Sequence, residues 1–174
     1  MIPGAGMRPG RWSHETALMM KILMVCLGNI CRSPMAEAVL RKKVKENHLD
    51  WQVDSAGTEA YHTGEAPHPL ARKVAALHGL DISGYRASRL TPGDFLSYDK
   101  IYALAPDVLE EMAYIAKGRM DPAKVDILLN EVYPGENREV PDPWYGPESG
   151  FEKAYQLIEK ACDKIIGRYA HPRS

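Results

Sequence analysis

Hydrophobic positions along the chain come in short blocks, and the period changes from one block to the next. Ile22-Leu23-Met24-Val25 is a continuous apolar run, as expected for a strand buried on both faces. Behind it Ala36, Val39, Leu40 and Val44 recur at helical spacing. Ser33 is the expected N-cap of that helix and Pro34 its first residue. Trp51, Val53 and Ser55 alternate with polar neighbours, which predicts a second strand. Leu70, Val74 and Leu77 predict a helix that Gly79 ends. Ile101 to Ala105 reads as a third strand, and Val108, Leu109, Met112 and Ile115 as a helix closed by Gly118. Val125 to Leu129 reads as a fourth strand, and Phe151, Tyr155, Ile158, Cys162 and Ile165 stripe a long last helix.

Strands that alternate with helices imply right-handed crossover units. The expected fold is α/β, a single doubly wound domain with a four-stranded parallel sheet and helices on both faces. That domain is expected over residues 21–174. Residues 1–20 mix Gly, Pro and Arg without apolar periodicity, which predicts a disordered tail and makes Met20 a candidate start. Residues 17–27 resemble the core of a signal peptide, but Lys21 interrupts them and no small-residue cleavage site follows before Gly28-Asn29. The run is also too short to span a bilayer, so no membrane insertion is expected. Between the fourth strand and the last helix lies a long connection, 130–149, containing Pro134, Pro141, Pro143 and Pro147. Connections of that length in a compact domain are usually functional.

With 174 residues, 45% hydrophobic and 26% charged, the chain suits one ordinary globular core. The net charge of −1 gives no broad attraction to nucleic acid or anionic lipid, so an anionic substrate would need a local site. Cys26, Cys31 and Cys162 are odd in number, and their spacing suits neither a disulfide framework nor a four-ligand zinc site. A reduced, cytoplasmic protein without metal or cofactor is the expectation. His62 and His68 lack a third ligand and read as surface-loop histidines.

In a doubly wound sheet, ligands bind beyond the carboxyl ends of the strands. The first strand runs into Cys26-Leu27-Gly28-Asn29-Ile30-Cys31-Arg32-Ser33 and then a helix. A loop curled around an anion points its N–H groups inward, and the helix adds its positive end. Residues Leu27, Gly28, Asn29, Ile30, Cys31, Arg32 and Ser33 are therefore candidate phosphate binders. Gly28 is expected to take a backbone angle that other residues resist. Arg32 can grip two phosphate oxygens. The same field favours the Cys26 thiolate, a nucleophile aimed at phosphorus. Asn29 and Ser33 suit the support of the loop and of the leaving thiolate. A cysteine, five residues and an arginine form a short pattern, common around structural cysteines. Its place between a buried strand and a helix start is what gives it weight.

Asp142, held between Pro141 and Pro143, reads by itself as a turn residue, and beside a phosphate loop it becomes a candidate general acid for a leaving group and afterwards a base for water. Trp144 and Tyr145 follow it, an aromatic pair that either lines a pocket entrance or packs in part on the core.

The stretch from Val25 through Arg32-Ser33-Pro34-Met35-Ala36-Glu37 resembles the signature of the low-molecular-weight protein tyrosine phosphatases. The resemblance continues through Asp54-Ser55-Ala56-Gly57-Thr58, Asp81-Ile82-Ser83, Leu90-Thr91-Pro92 and Asp142-Pro143-Trp144-Tyr145, and covers about residues 21 to 168. It implies metal-free, two-step hydrolysis of tyrosine-phosphorylated proteins through a phosphocysteine. Cys26, Arg32 and Asp142 would be catalytic. Tyr61 stands where relatives often carry a tryptophan on the pocket wall. Ala105 stands where many carry an aspartate that supports the site, with Asp107 displaced by two positions. Cys31 shares the curled loop with Cys26 and is the expected redox partner, trapping an oxidised Cys26 as a disulfide. A monomer or weak homo-oligomer is expected.

Three alternatives stand beside this reading. A thioredoxin-coupled arsenate reductase of the same fold would need a downstream cysteine pair, and none lies between Cys31 and Cys162. A phosphoarginine phosphatase would carry Thr where Ile30 stands. A non-catalytic phosphate-binding or redox-sensing module would need neither nucleophile nor acid.

Overall fold

The computed structural model describes residues 19–170, so the tail expected over residues 1–20 lies outside the described residues apart from its last two positions. Strand β1 (Lys21–Cys26) pairs in parallel with β2 (Gln52–Gly57) on one side and β3 (Lys100–Ala103) on the other, and β4 (Val125–Ile127) pairs with β3. The sheet order is β2-β1-β3-β4, which makes β1 central. The helices are α1 (Arg32–Glu46), α2 (Pro69–Leu77), the single turn α3 (Asp94–Ser97), α4 (Pro106–Ala116) and α5 (Glu148–Tyr169). This is the expected doubly wound α/β domain.

The lack of alternation in β1 has a direct cause. Ile22, Met24 and Cys26 face one core, built with α1, α2 and α5, while Leu23 and Val25 face a second core built with α3 and α4. Every residue from Ile22 to Cys26 is buried. The stripe expected on α5 is also present, with Phe151, Tyr155, Ile158, Cys162 and Ile165 all at 0–1% exposure.

Several boundaries differ from expectation. The strand expected over Val125–Leu129 ends at Ile127, and Leu128–Glu131 wind into a 3₁₀ turn. Leu128 and Leu129 both enter the same core, which adjacent residues of a strand cannot do. β3 stops at Ala103 because Pro106 opens α4 and the chain must turn before it. On α2 the buried positions are Ala71, Val74 and Ala75, whereas Leu77 is 66% exposed. Alanines serve there because α2 lies against α5. Gly79, with φ +82°, does end α2: its amide and that of Leu80 donate to the Ala76 and Ala75 carbonyls. At the end of α4 the left-handed turn is taken first by Lys117 and then by Gly118.

One correction bears on the site. α1 starts at Arg32, so Ser33 is its second residue and not its N-cap, and Pro34 is its third. Cys31 holds the cap position without a side-chain capping bond. The Ser33 hydroxyl is directed elsewhere.

Candidate active site

β1 delivers Cys26 to the carboxyl edge of the sheet, and the loop to Arg32 closes one end of a cleft of about 440 Å³. The loop contributes Cys26, Leu27, Gly28, Ile30, Cys31 and Arg32 to its lining. The segment after β2 adds Glu59, Tyr61 and His62, and the late connection adds Asp142, Trp144 and Tyr145. Every candidate residue on the pocket wall from the sequence is thus brought to one place. Asn29 and Ser33 lie just behind it.

The Ser33 hydroxyl sits 2.9 Å from Cys26 Sγ. It accepts from Asn29 Nδ2 at 2.8 Å, so its own proton is free to go to sulfur. Against a thiolate only the hydroxyl can donate. The second Asn29 amide proton goes to Ser55 Oγ at 2.9 Å, and the Ser55 hydroxyl donates to Glu37 Oε1. Asn29 Oδ1 accepts from the Ser88 amide at 2.9 Å. Glu37 is buried, and Arg41 meets its carboxylate at 2.7 Å. Burial raises the Glu37 pKa, opposed by the Ser55 hydrogen bond and the Arg41 charge. A chain of hydrogen bonds therefore runs from α1 through β2 to the sulfur.

Backbone geometry corrects one expectation. Gly28 does not take a left-handed angle; Asn29 does, with φ 59°. Gly28 is needed for space, because a Cβ there would meet the His62 ring at 2.9 Å. Gly57 has the stricter role. Its Cβ would lie 2.7 Å from the Leu27 carbonyl oxygen and 3.0 Å from the Gly28 carbonyl carbon, so the loop passes directly over β2's last residue.

Arg32 is 3% exposed and donates from one terminal nitrogen to the Val140 carbonyl at 2.9 Å. Its other terminal nitrogen lies 3.6 Å from Asp142 Oδ2. Val140 is in turn fixed by its own amide, which donates to the Leu104 carbonyl at 2.9 Å. Asp142 also accepts from the Trp144 amide at 3.1 Å, an Asx turn that aims its carboxylate. Ala105 is buried beside this ladder, and Asp107 does not take an aspartate's place there: its carboxylate accepts from the Val108 amide within α4. The Arg32 partners Val140 and Asp142 both come from the late connection.

The rim divides by burial. Trp144 packs toward the core between the rings of His62 and His68, each at 5.3 Å, while Tyr145 is 96% and Tyr61 83% exposed. The two histidines are not idle surface residues. His62 covers Gly28, and its Nδ1 lies 3.1 Å from Glu65 Oε2. His68 Nδ1 accepts from the Leu70 amide at the start of α2, and its ring packs on Phe151. Cys31 is buried, and burial, followed by the nearby Cys26 charge, pushes its thiol pKa up.

Ser88, Val140 and Glu59 were not singled out by sequence, and Glu37, Ser55 and His62 were noted there without a role in the site. Ser55 had a signal, a small hydroxyl in an otherwise buried strand. Val140 acts through its backbone and had none.

Comparison with known proteins adds the family. Residues 21–171 match the model for the low molecular weight phosphotyrosine protein phosphatases. Low molecular weight phosphotyrosine protein phosphatase 2 of Drosophila melanogaster is 41% identical over 149 residues, covering 83% of this chain and 89% of that protein. The crystal structure of a protein tyrosine phosphatase from Entamoeba histolytica superposes with a TM-score of 0.76 at 36% identity, covering 84% of this chain and 94% of that one. That of a Drosophila arginine phosphatase gives 0.80 at 31% identity, covering 88% and 100%. The chain, a hydrolase, belongs to the low molecular weight phosphotyrosine protein phosphatase family.

Proposed function

We propose that this protein hydrolyses phosphotyrosine in phosphoproteins in two steps, with Cys26 as nucleophile, Arg32 as phosphate clamp and Asp142 as general acid and base. The observation that carries the reading is the Ser33 hydroxyl, oriented by Asn29 and placed 2.9 Å from Cys26 Sγ at the floor of a cleft that Asp142 overhangs. In the first step Cys26 sulfur bonds to phosphorus as the P–O bond to the phenol breaks, and Asp142 gives its proton to the leaving oxygen. In the second, Asp142 takes a proton from water, water bonds to phosphorus, and the P–S bond breaks. Phosphate leaves, and Ser33 donates to the restored thiolate. The N–H groups of residues 27–33, the start of α1 and Arg32 carry the phosphoryl charge through both steps.

Ile30 lines the pocket with an apolar side chain, which supports an aryl substrate over phosphoarginine. Three free cysteines suit a reducing, cytoplasmic setting. Cys31, a free cysteine on the same loop, is the candidate thiol to capture an oxidised Cys26 as a disulfide.

The test is to quench Asp142→Ala during turnover of an aryl phosphate with a good leaving group and weigh the intact protein. The reading expects a phosphoryl adduct on Cys26. Continued turnover of Cys26→Ser without an adduct would overturn it.

A further inference from the structure

The cleft mouth holds one acidic side chain that neither step uses. Glu59 lies just past β2, and its amide donates to the Leu27 carbonyl at 2.9 Å while the Thr58 amide donates to the Cys26 carbonyl at 3.0 Å. Its backbone is therefore tied to the phosphate loop, and its side chain lines the cleft together with Tyr61 and Asp142. Among the described residues no side-chain hydrogen bond or ion pair engages the Glu59 carboxylate, whereas the neighbouring charges are committed. His62 is turned to Glu65, and the guanidinium of Arg32 is buried against Val140 and faces Asp142.

An unpaired carboxylate beside a site for a phosphate dianion repels the substrate that the site must admit. The repulsion is offset when the substrate brings a cation of its own. Tyr61 and Tyr145, both largely exposed at the same mouth, add ring faces on which a lysine or arginine can rest. We propose that Glu59 is a specificity-determining residue that selects phosphotyrosine peptides carrying a lysine or arginine next to the phosphotyrosine. This rests on the phosphotyrosine hydrolase reading given above.

The experiment uses three phosphotyrosine peptides that differ only in the flanking residue, Arg, Gln or Glu. It compares kcat/KM for the wild type, Glu59→Gln and Glu59→Lys, with phenyl phosphate run in parallel. An exposed ion pair predicts that the wild type favours the Arg peptide over the Gln peptide by roughly two- to fivefold at low ionic strength, with the Glu peptide slower still. Glu59→Gln should flatten the series and Glu59→Lys should reverse it. High salt should also flatten the wild-type series, a measurement that needs no variant. An Arg-to-Glu peptide ratio that is the same in all three proteins, or unmoved by salt in the wild type, overturns the inference. Wild type that leaves phenyl phosphate intact would instead overturn the hydrolase reading, and this inference with it.

Discussion

On the floor of the cleft Asn29 satisfies three groups, Ser33, Ser55 and the Ser88 amide, and every link of the chain back to Glu37 and Arg41 has a partner. At the rim Tyr61 and Tyr145 project into solvent, and Glu59 has no ion pair among the described residues. Both regions border the same pocket. The floor is built from the ends of β1 and β2 and the start of α1, where backbone and side chains constrain one another. The rim is built from connections. The difference follows from what each has to do. Holding charge that develops on a reacting phosphoryl group requires donors already in position, because reorganisation would raise the barrier. Recognising a protein surface requires area and adaptable contacts, and individual rim contacts contribute little.

That contrast can be broken by substitution, beginning with the floor. Cys26→Ser should lower turnover on the order of 10⁴-fold or more, because the hydroxyl is a poor replacement for a thiolate nucleophile. Steady-state hydrolysis of phenyl phosphate measures it, and near-normal turnover would remove Cys26 from the mechanism. Asp142→Ala should cost roughly 10²–10⁴-fold with poor leaving groups and far less with good ones. A loss independent of leaving group would mean that Asp142 only holds the late connection.

Asn29→Ala comes next. It strands two serine hydroxyls and one amide, and it leaves a β-carbon at φ 59° without the side-chain amide that makes this angle tolerable to asparagine. A loss of about 1–3 kcal/mol in stability and roughly 10- to 100-fold in turnover is expected. Asn29→Gly removes the hydrogen bonds but not the backbone angle, so it should be closer to wild type in stability than in rate. Identical behaviour of the two variants would show that the bonds, not the angle, dominate both.

The smallest effects belong to the rim. Tyr145→Ala should raise KM for a phosphopeptide a few-fold, about 1 kcal/mol or less, with kcat almost unchanged. A large fall in kcat would move the ring from recognition to the reacting atoms. His68 gives a rim effect on stability. Burial first, and then the Arg72 charge, hold its pKa below the ordinary imidazole value. Because the folded value is depressed, its contribution is complete above the unfolded value of about 6.5 and is lost as pH falls through the folded one. Urea midpoints taken down from pH 7.5 should therefore decline less in His68→Gln than in the wild type. Equal decline would show that His68 titrates alike in both states.

The same contrast explains what the sequence made legible. The run Ile22–Val25, the cysteine-to-arginine spacing and the proline-flanked Asp142 are local patterns; the first is the strand that leads to the cleft, and the residues of the other two line it. The four strands, their alternation with helices and the stripe of α5 followed from periodicity, whereas the order β2-β1-β3-β4 came only from the structure. What stayed hidden is non-local. Gly57 is required because another backbone crosses it, and Val140 works through its carbonyl, which no residue type announces. Ser33 was given two roles from sequence, helix cap and support of the thiolate, and only the folded loop shows that the second excludes the first, with the hydroxyl 2.9 Å from Cys26 Sγ. His62 and His68 were read as surface residues because the rings they pack against, Trp144 and Phe151, lie far along the chain.

Val140 also sets how the late connection tolerates change in length. Its amide and carbonyl are both tied, to Leu104 and Arg32, so the chain from Val132 to Pro147 behaves as two loops joined at a fixed point. The first is closed on itself by bonds between Asn130 and Asn137. Extra residues at its exposed tip, between Pro134 and Glu136, would cost only the slowly growing entropy of a longer loop. They would leave the reach of Asp142 as it is. Two residues added between Val140 and Asp142 would lie beyond the fixed point and carry the carboxylate away from the cleft. Natural or engineered insertions, such as an epitope or a fluorescent domain, are therefore compatible with activity upstream of Val140 and incompatible with it just downstream.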